Sequence, residues 1–144
     1  MNDMQTVNAT DVRKNWSMTC DNVIRNRPLI FKRTHDEMIL ASTEDMKRLL
    51  DSYKFDTVLY KEDDGSVTAA LKAIDLAENG ADKETACIML AEAILDYAEE
   101  YYSEFKLYSN APNRRPHLPY VMKAILLGDP VSVKEEMLCR NGRI

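Results

Sequence analysis

A chain of 144 residues has the size of one domain or of two small lobes. It is 45% hydrophobic and holds only four glycines and five prolines, which excludes a disordered chain. Its net charge of −5 argues against binding nucleic acid with the whole surface.

The charge is nevertheless uneven. Residues 1–35 carry six Lys/Arg against three acids, whereas residues 51–144 carry eleven against seventeen. One end can therefore meet phosphate and the other cannot. Cys20, Cys87 and Cys139 lack any C-x-x-C spacing and read as reduced, mostly buried thiols. His35 and His117 have no partners for a zinc site, so no metal and no cofactor is predicted. There is no basic-then-apolar leader and no apolar run of membrane-spanning length. The expectation is a soluble, cytoplasmic protein that does not engage membrane.

In chain order, "QTVN" reads as a short strand leading into a helix, with Thr10 as N-cap and Asp11 suited to the positive helix end. Val12, Trp16, Cys20, Val23 and Ile24 recur on one helical face, which predicts that they point inward, and Pro28 ends the helix. "PLIFKR" and "EMILAS" are two apolar runs around "THD", a hairpin with a tight polar turn. Ser42 or Thr43 can cap the next helix, with Met46, Leu49, Leu50 and Tyr53 inward. The first lobe is thus β-α-β-β-α over residues 1–53.

The second lobe, residues 54–144, opens with alternating apolar positions on either side of "EDDG", another hairpin signal. "TAALKAIDLAE" suits either a strand or a helix. After Gly80 an acidic start, "ADKETA", leads into a long amphipathic helix with Leu90, Ile94, Tyr97, Tyr101 and Phe105 along one stripe. Its other face carries Glu84, Glu92, Asp96, Glu99, Glu100 and Glu104. "SNAPNRRPHLPY" interrupts the helix with three prolines. "YVMKAILLG" and "PVSVKEEMLCR" read as two short closing helices, the second starting at Pro130. The fold class is α+β.

The early basic residues form two clusters, Arg13-Lys14 and Lys32-Arg33 with His35. A helix start carrying Arg13 beside a β-turn carrying Arg33 can contact phosphates and base edges together. On pattern alone, these are also ordinary solvated surface charges.

Two stretches carry a family resemblance. "TVNATDVRKNWSMTCDNVI" followed by "RPLIFKRTHDEMILASTEDMKRLL" resembles the N-terminal domain of the Phd/YefM (prevent-host-death) antitoxins. The matching elements are the helix start Thr10-Asp11-Val12-Arg13, the turn arginine Arg33, and Ser42-Thr43-Glu44-Asp45-Met46. The family's turn usually holds a glycine, and this one reads "THDE". The resemblance implies an intertwined dimer, or a higher even oligomer, that binds operator DNA and represses its own operon. It implies Arg13 and Arg33 as DNA contacts, with Lys14, Lys32, His35 and Thr10 around them. Trp16 takes an aliphatic position of the family and is expected in the core.

"TVLYKEDDGSVTAALKAIDLAENGADKETACIMLAEAILDYAEEYY" is similar to the core of HicB-type antitoxins, a partial RNase H fold. The correspondence runs through Asp63-Asp64-Gly65, a second strand over Val67 to Leu76, and Gly80 to Ala86. Together the resemblances imply an antitoxin of a type II toxin-antitoxin system, whose partners are operator DNA and a small basic toxin. A stand-alone regulator or interaction module is the alternative. No catalytic residues are predicted: Glu84, Glu92, Asp96 and Glu99 have surface helical spacing, and Asp63-Asp64 belong to a turn.

Overall fold

The computed structural model describes residues 7–142 and places them in two compact units, one ending at Leu49 and one beginning at Leu50. Among the described residues, no helix is long and apolar enough to cross a membrane.

The first unit starts with strand β1 (Val7–Asn8), which runs directly into helix α1 (Ala9–Lys14). The N-cap is Asn8, not Thr10: the Asn8 side chain accepts the backbone N–H of Thr10 at 2.8 Å, which places Thr10 inside the first turn. Asn15 then halts the helix: its backbone leaves helical geometry, at φ −116° and ψ 37°, and its side-chain amide donates to the Asp11 carbonyl at 3.1 Å. The single helix predicted to run to Pro28 is therefore α1 followed by α2 (Trp16–Arg25). Strands β2 (Leu29–Arg33) and β3 (Asp36–Leu40) pair antiparallel, and β1 pairs parallel with β2, giving the sheet order β1-β2-β3. Helix α3 (Thr43–Leu50) follows, capped by the Ser42 hydroxyl, which accepts the Asp45 N–H at 3.1 Å.

The predicted inner face of the first helix is only half realised. Val12 and Val23 are buried, but Trp16 is 54% exposed and Ile24 69% exposed. The turn at Asn15 explains this, since it breaks the phase between the two helical segments. On α3, Leu50 is buried and Leu49 is exposed.

The second unit has the order β6-β5-β4-β7. Strands β4 (Phe55–Lys61) and β5 (Val67–Leu71) form the predicted hairpin, with Gly65 at φ +88°, where a side chain would be strained. The second strand does not reach Leu76. It ends at Leu71, a single 3-10 turn follows at Lys72–Ile74, and Asp75 adopts a left-handed φ of 56°. The chain thereby reverses into β6 (Leu76–Gly80).

Helix α4 (Lys83–Ser103) is capped by Asp82, whose side chain accepts the Thr85 N–H at 2.8 Å. It packs against β5 and β6 on one side and against α6 (Leu118–Leu127) and α7 (Pro130–Glu135) on another. Ala86, Leu90, Ala91, Ile94, Ala98 and Tyr101 of α4 are fully buried, with Phe55, Leu71, Val121 and Val133 around them. Helix α5 (Phe105–Asn110) takes the end of the aromatic stripe. The last predicted helix is shorter than its sequence suggests. After α7 the residues Met137–Asn141 form strand β7, parallel to β4. Its helix-like lead-in, "VKEE", gives way because β4 offers an unpaired edge that a strand can satisfy.

Candidate functional site

Two regions concentrate exposed polar chemistry, one in each unit. In the first, the parallel pairing of β1 with β2 sets Val7 opposite Phe31 and Asn8 opposite Lys32. Helix α1 therefore springs from the end of β2 that carries Lys32, Arg33 and the hairpin turn. Arg33 pairs with Asp36, so the turn consists of Thr34 and His35 alone and Asp36 already belongs to β3. Thr34 holds φ at 56°, a left-handed conformation that favours glycine.

Thr10, Arg13, Lys14, Lys32, Arg33 and His35 are all exposed. Lys32 is bridged to Glu37 at 3.6 Å on the solvent side. Among the described residues, no carboxylate lies within ion-pairing distance of Arg13, Lys14 or Arg33. Arg13 and Lys14 occupy the last turn of α1 rather than its first. At a rise of about 1.5 Å per residue, Arg13 stands roughly 6 Å along the axis from the helix start. Thr10, Lys32, Arg33 and His35 thus share one end of the small sheet, with Arg13 and Lys14 set further along α1.

In the second unit, a cleft of about 250 Å³ opens between the Asp75 turn, helix α4 and the proline-rich loop. Its walls include Asp75, Tyr97, Glu100, Asn113, Arg114 and His117. The Tyr97 hydroxyl and His117 Nδ1 are hydrogen-bonded at 2.6 Å, and the Tyr101 hydroxyl donates to the Arg114 carbonyl at 3.0 Å. The Arg114 guanidinium lies over the rings of Tyr97 and Tyr108, 5.5 and 4.6 Å from their centroids. Tyr108 donates to the Glu100 carboxylate. Arg115 donates to the carbonyls of Ser109 and Asn110. Arg114, Arg115 and His117 thus fasten the loop to α4 and α5, through aromatic rings and carbonyls more than through carboxylates.

Burial lowers the pKa of His117 below its ordinary value, against a smaller opposing pull from Asp75, whose carboxylate is 3.9 Å from Nε2. Burial also raises the Tyr97 hydroxyl. The cleft thus presents a neutral imidazole, two exposed carboxylates and aromatic walls. Glu92, Asp96, Glu99 and Glu104 continue the negative surface along α4. The Tyr97–His117 pair was not foreseen from the sequence. Tyr97 on a stripe of otherwise core positions was its only trace. Among the described residues, no group of three or more His, Cys, Asp or Glu side chains is placed to hold a metal ion.

The fold is similar to that of a solved antitoxin structure. A crystal structure from Syntrophomonas wolfei subsp. wolfei, described as the antitoxin part of a proposed toxin/antitoxin system, superposes with a TM-score of 0.88. It is 36% identical, and the match covers 96% of this chain and 99% of that one. The chain belongs to the PHD-like family, described as the antitoxin of a RelE/RelB toxin-antitoxin system, whose model matches residues 1–139. No protein in the curated set matches.

Proposed function

We propose that this antitoxin works through both units. The first pairs with a second copy and reads operator DNA, repressing its own operon. The second captures a small basic toxin. In the terms of the two resemblances, the first unit is Phd/YefM-like and the second HicB-like.

The observation that carries the reading is the combination found on the first unit: exposed arginines and lysines beside uncovered apolar side chains. Trp16, Ile24, Met18 at 63% and Ile39 at 63% exposure lie on a unit of about fifty residues, too small to bury a large core alone. A second copy would cover them and would present Arg13 and Arg33 twice, as two half-sites require. For the second unit, the β4–β5 hairpin turning at Gly65 and the helix start after Gly80 support the HicB-like reading. The additional strand β6 departs from the simpler two-strand pattern. The acidic face of α4 is complementary to a partner that binds RNA.

The test is fluorescence anisotropy on a duplex taken from immediately upstream of the gene, together with size-exclusion light scattering. Dimeric protein should bind with strong salt dependence, and Arg13→Ala or Arg33→Ala should each weaken binding by about 1–3 kcal/mol. No duplex binding even at low salt would leave a stand-alone interaction module. For the toxin, the product of the adjacent reading frame should co-purify with the chain, and Glu99→Lys with Glu100→Lys should weaken the complex.

A further inference from the structure

Cys87 and Cys139 are 52 positions apart in sequence, yet their sulfurs lie 3.9 Å from each other. Cys87 sits in the buried first half of α4, and Cys139 is exposed in the middle of β7, opposite Thr57 of β4. Nothing in the antitoxin reading uses this pair. We infer that Cys87 and Cys139 are a reversible disulfide site, closed by a low-molecular-weight disulfide such as oxidised glutathione, and that the bond pins strand β7 to helix α4.

The geometry is close to what the bond needs. The sulfurs must approach from 3.9 Å to about 2.05 Å, a movement of under about 2 Å shared by two side chains. Cys20, in the first unit, is half-buried and is not part of this pair. Accessibility assigns the order of events. The exposed Cys139 thiol loses its proton, and its thiolate attacks one sulfur of the oxidant. The oxidant's S–S bond breaks, one small thiol leaves, and a mixed disulfide remains on Cys139.

The Cys87 thiolate then attacks the Cys139 sulfur and expels the second small thiol. Two protein thiols are oxidised to one disulfide, the oxidant is reduced to two thiols, and the two protons released by the protein go to the leaving thiolates. In the reduced protein, burial is the main cause that pushes the Cys87 thiol up to about 11. Because burial outlasts the first step, the second step is the slower one at neutral pH. The ammonium of Lys134, held nearby by Glu84, works in the opposite sense.

The target of the bond is an edge. Strand β7 is hydrogen-bonded on one side only, to β4, and Leu138 is 53% exposed. In the reduced protein it can fray without disturbing α4. In the oxidised protein it cannot leave without α4.

The experiment uses the full chain incubated with oxidised glutathione under native conditions, then quenched with an alkylating agent in denaturant. Intact mass should show two of the three thiols consumed without added glutathione. Peptide mapping should join the segment holding Cys87 to the segment holding Cys139. Amide exchange at residues 138–141 should slow at least tenfold on oxidation. Cys139→Ser, a conservative change at an exposed position, should abolish the bond, and Cys20→Ser should leave it intact. A stable glutathione adduct on Cys139 with Cys87 still free would overturn the inference, as would crosslinks through Cys20. Unchanged exchange in β7 after the bond has formed would refute the pinning.

Discussion

Gly80→Ala offers a sharp test of how the second unit is packed. A Cβ at this position would meet the Ala86 nitrogen at 2.5 Å, the Ala86 Cα at 2.9 Å and the Thr85 carbonyl carbon at 2.9 Å. All three are backbone atoms of the first turns of α4, so no side chain can rotate away. The start of the helix must shift, but Ala86, Leu90 and Ala91 are fully buried and resist movement. Overpacking of this kind costs about 1–3 kcal/mol, and disturbing the Asp82 cap adds about 1 kcal/mol. The expected loss is therefore about 2–4 kcal/mol, a fall in Tm of roughly 10 °C or more for a unit of this size.

The sequence supplies its own probes. All seven tyrosines lie in the second unit and the single tryptophan, Trp16, lies in the first. Urea unfolding followed by tyrosine near-UV circular dichroism should shift in Gly80→Ala, while tryptophan fluorescence should keep its wild-type midpoint. Gly65→Ala is the control: it has φ +88° and nothing within 4 Å of the added carbon, so it should lose only about 1 kcal/mol. A cost for Gly80→Ala no greater than for Gly65→Ala would refute the close-approach argument.

Other expectations follow from single contacts. Asp82→Ala removes the acceptor of the Thr85 N–H and should cost about 1 kcal/mol in the same tyrosine-detected melt. Tyr97→Phe strands His117 Nδ1 in a buried setting and should cost about 1–3 kcal/mol, more than Tyr102→Phe on the exposed surface. His117 should also make the second unit acid-sensitive. Its folded pKa lies below the unfolded value of about 6.5, so the unfolded state takes up a proton first as pH falls. The stability present above pH ~6.5 is then lost as pH drops toward the folded pKa, by up to about 1.4 kcal/mol per pH unit. Urea midpoints measured between pH 7.5 and 5 should show this slope, and His117→Gln should flatten it.

Much of the fold was legible because it is encoded locally. The "EDDG" turn, the Ser42 cap, Pro130 and the stripe along α4 are short-range signals, and each one appears where its chemistry places it. What escaped the sequence depends on distant partners or on one side chain's competition for the backbone. Strand β7 exists because β4 lies beside it, not because "MLCRN" favours extension. The break at Asn15 arises from that residue's amide claiming the Asp11 carbonyl, and it turns Trp16 outward, against the expectation of a core position. For the candidate sites, the types and exposure of Arg13, Lys14, Lys32 and Arg33 were readable. The placement of Arg13 in the last turn of α1, the Tyr97–His117 contact and the meeting of Cys87 with Cys139 were not, since each needs the folded chain.

The parallel register that sets Phe55 against Met137 has a consequence for biogenesis. The first unit's strands meet partners within about thirty residues, so its sheet can assemble as soon as those residues emerge from the ribosome. The central strand of the second unit must wait for a neighbour synthesised about eighty residues later. At about 5–20 residues per second, that is a delay of roughly 4–16 seconds with one flank bare. During translation the nascent antitoxin would hold a paired amino-terminal sheet while the other remains open to chaperones, proteases or a waiting toxin.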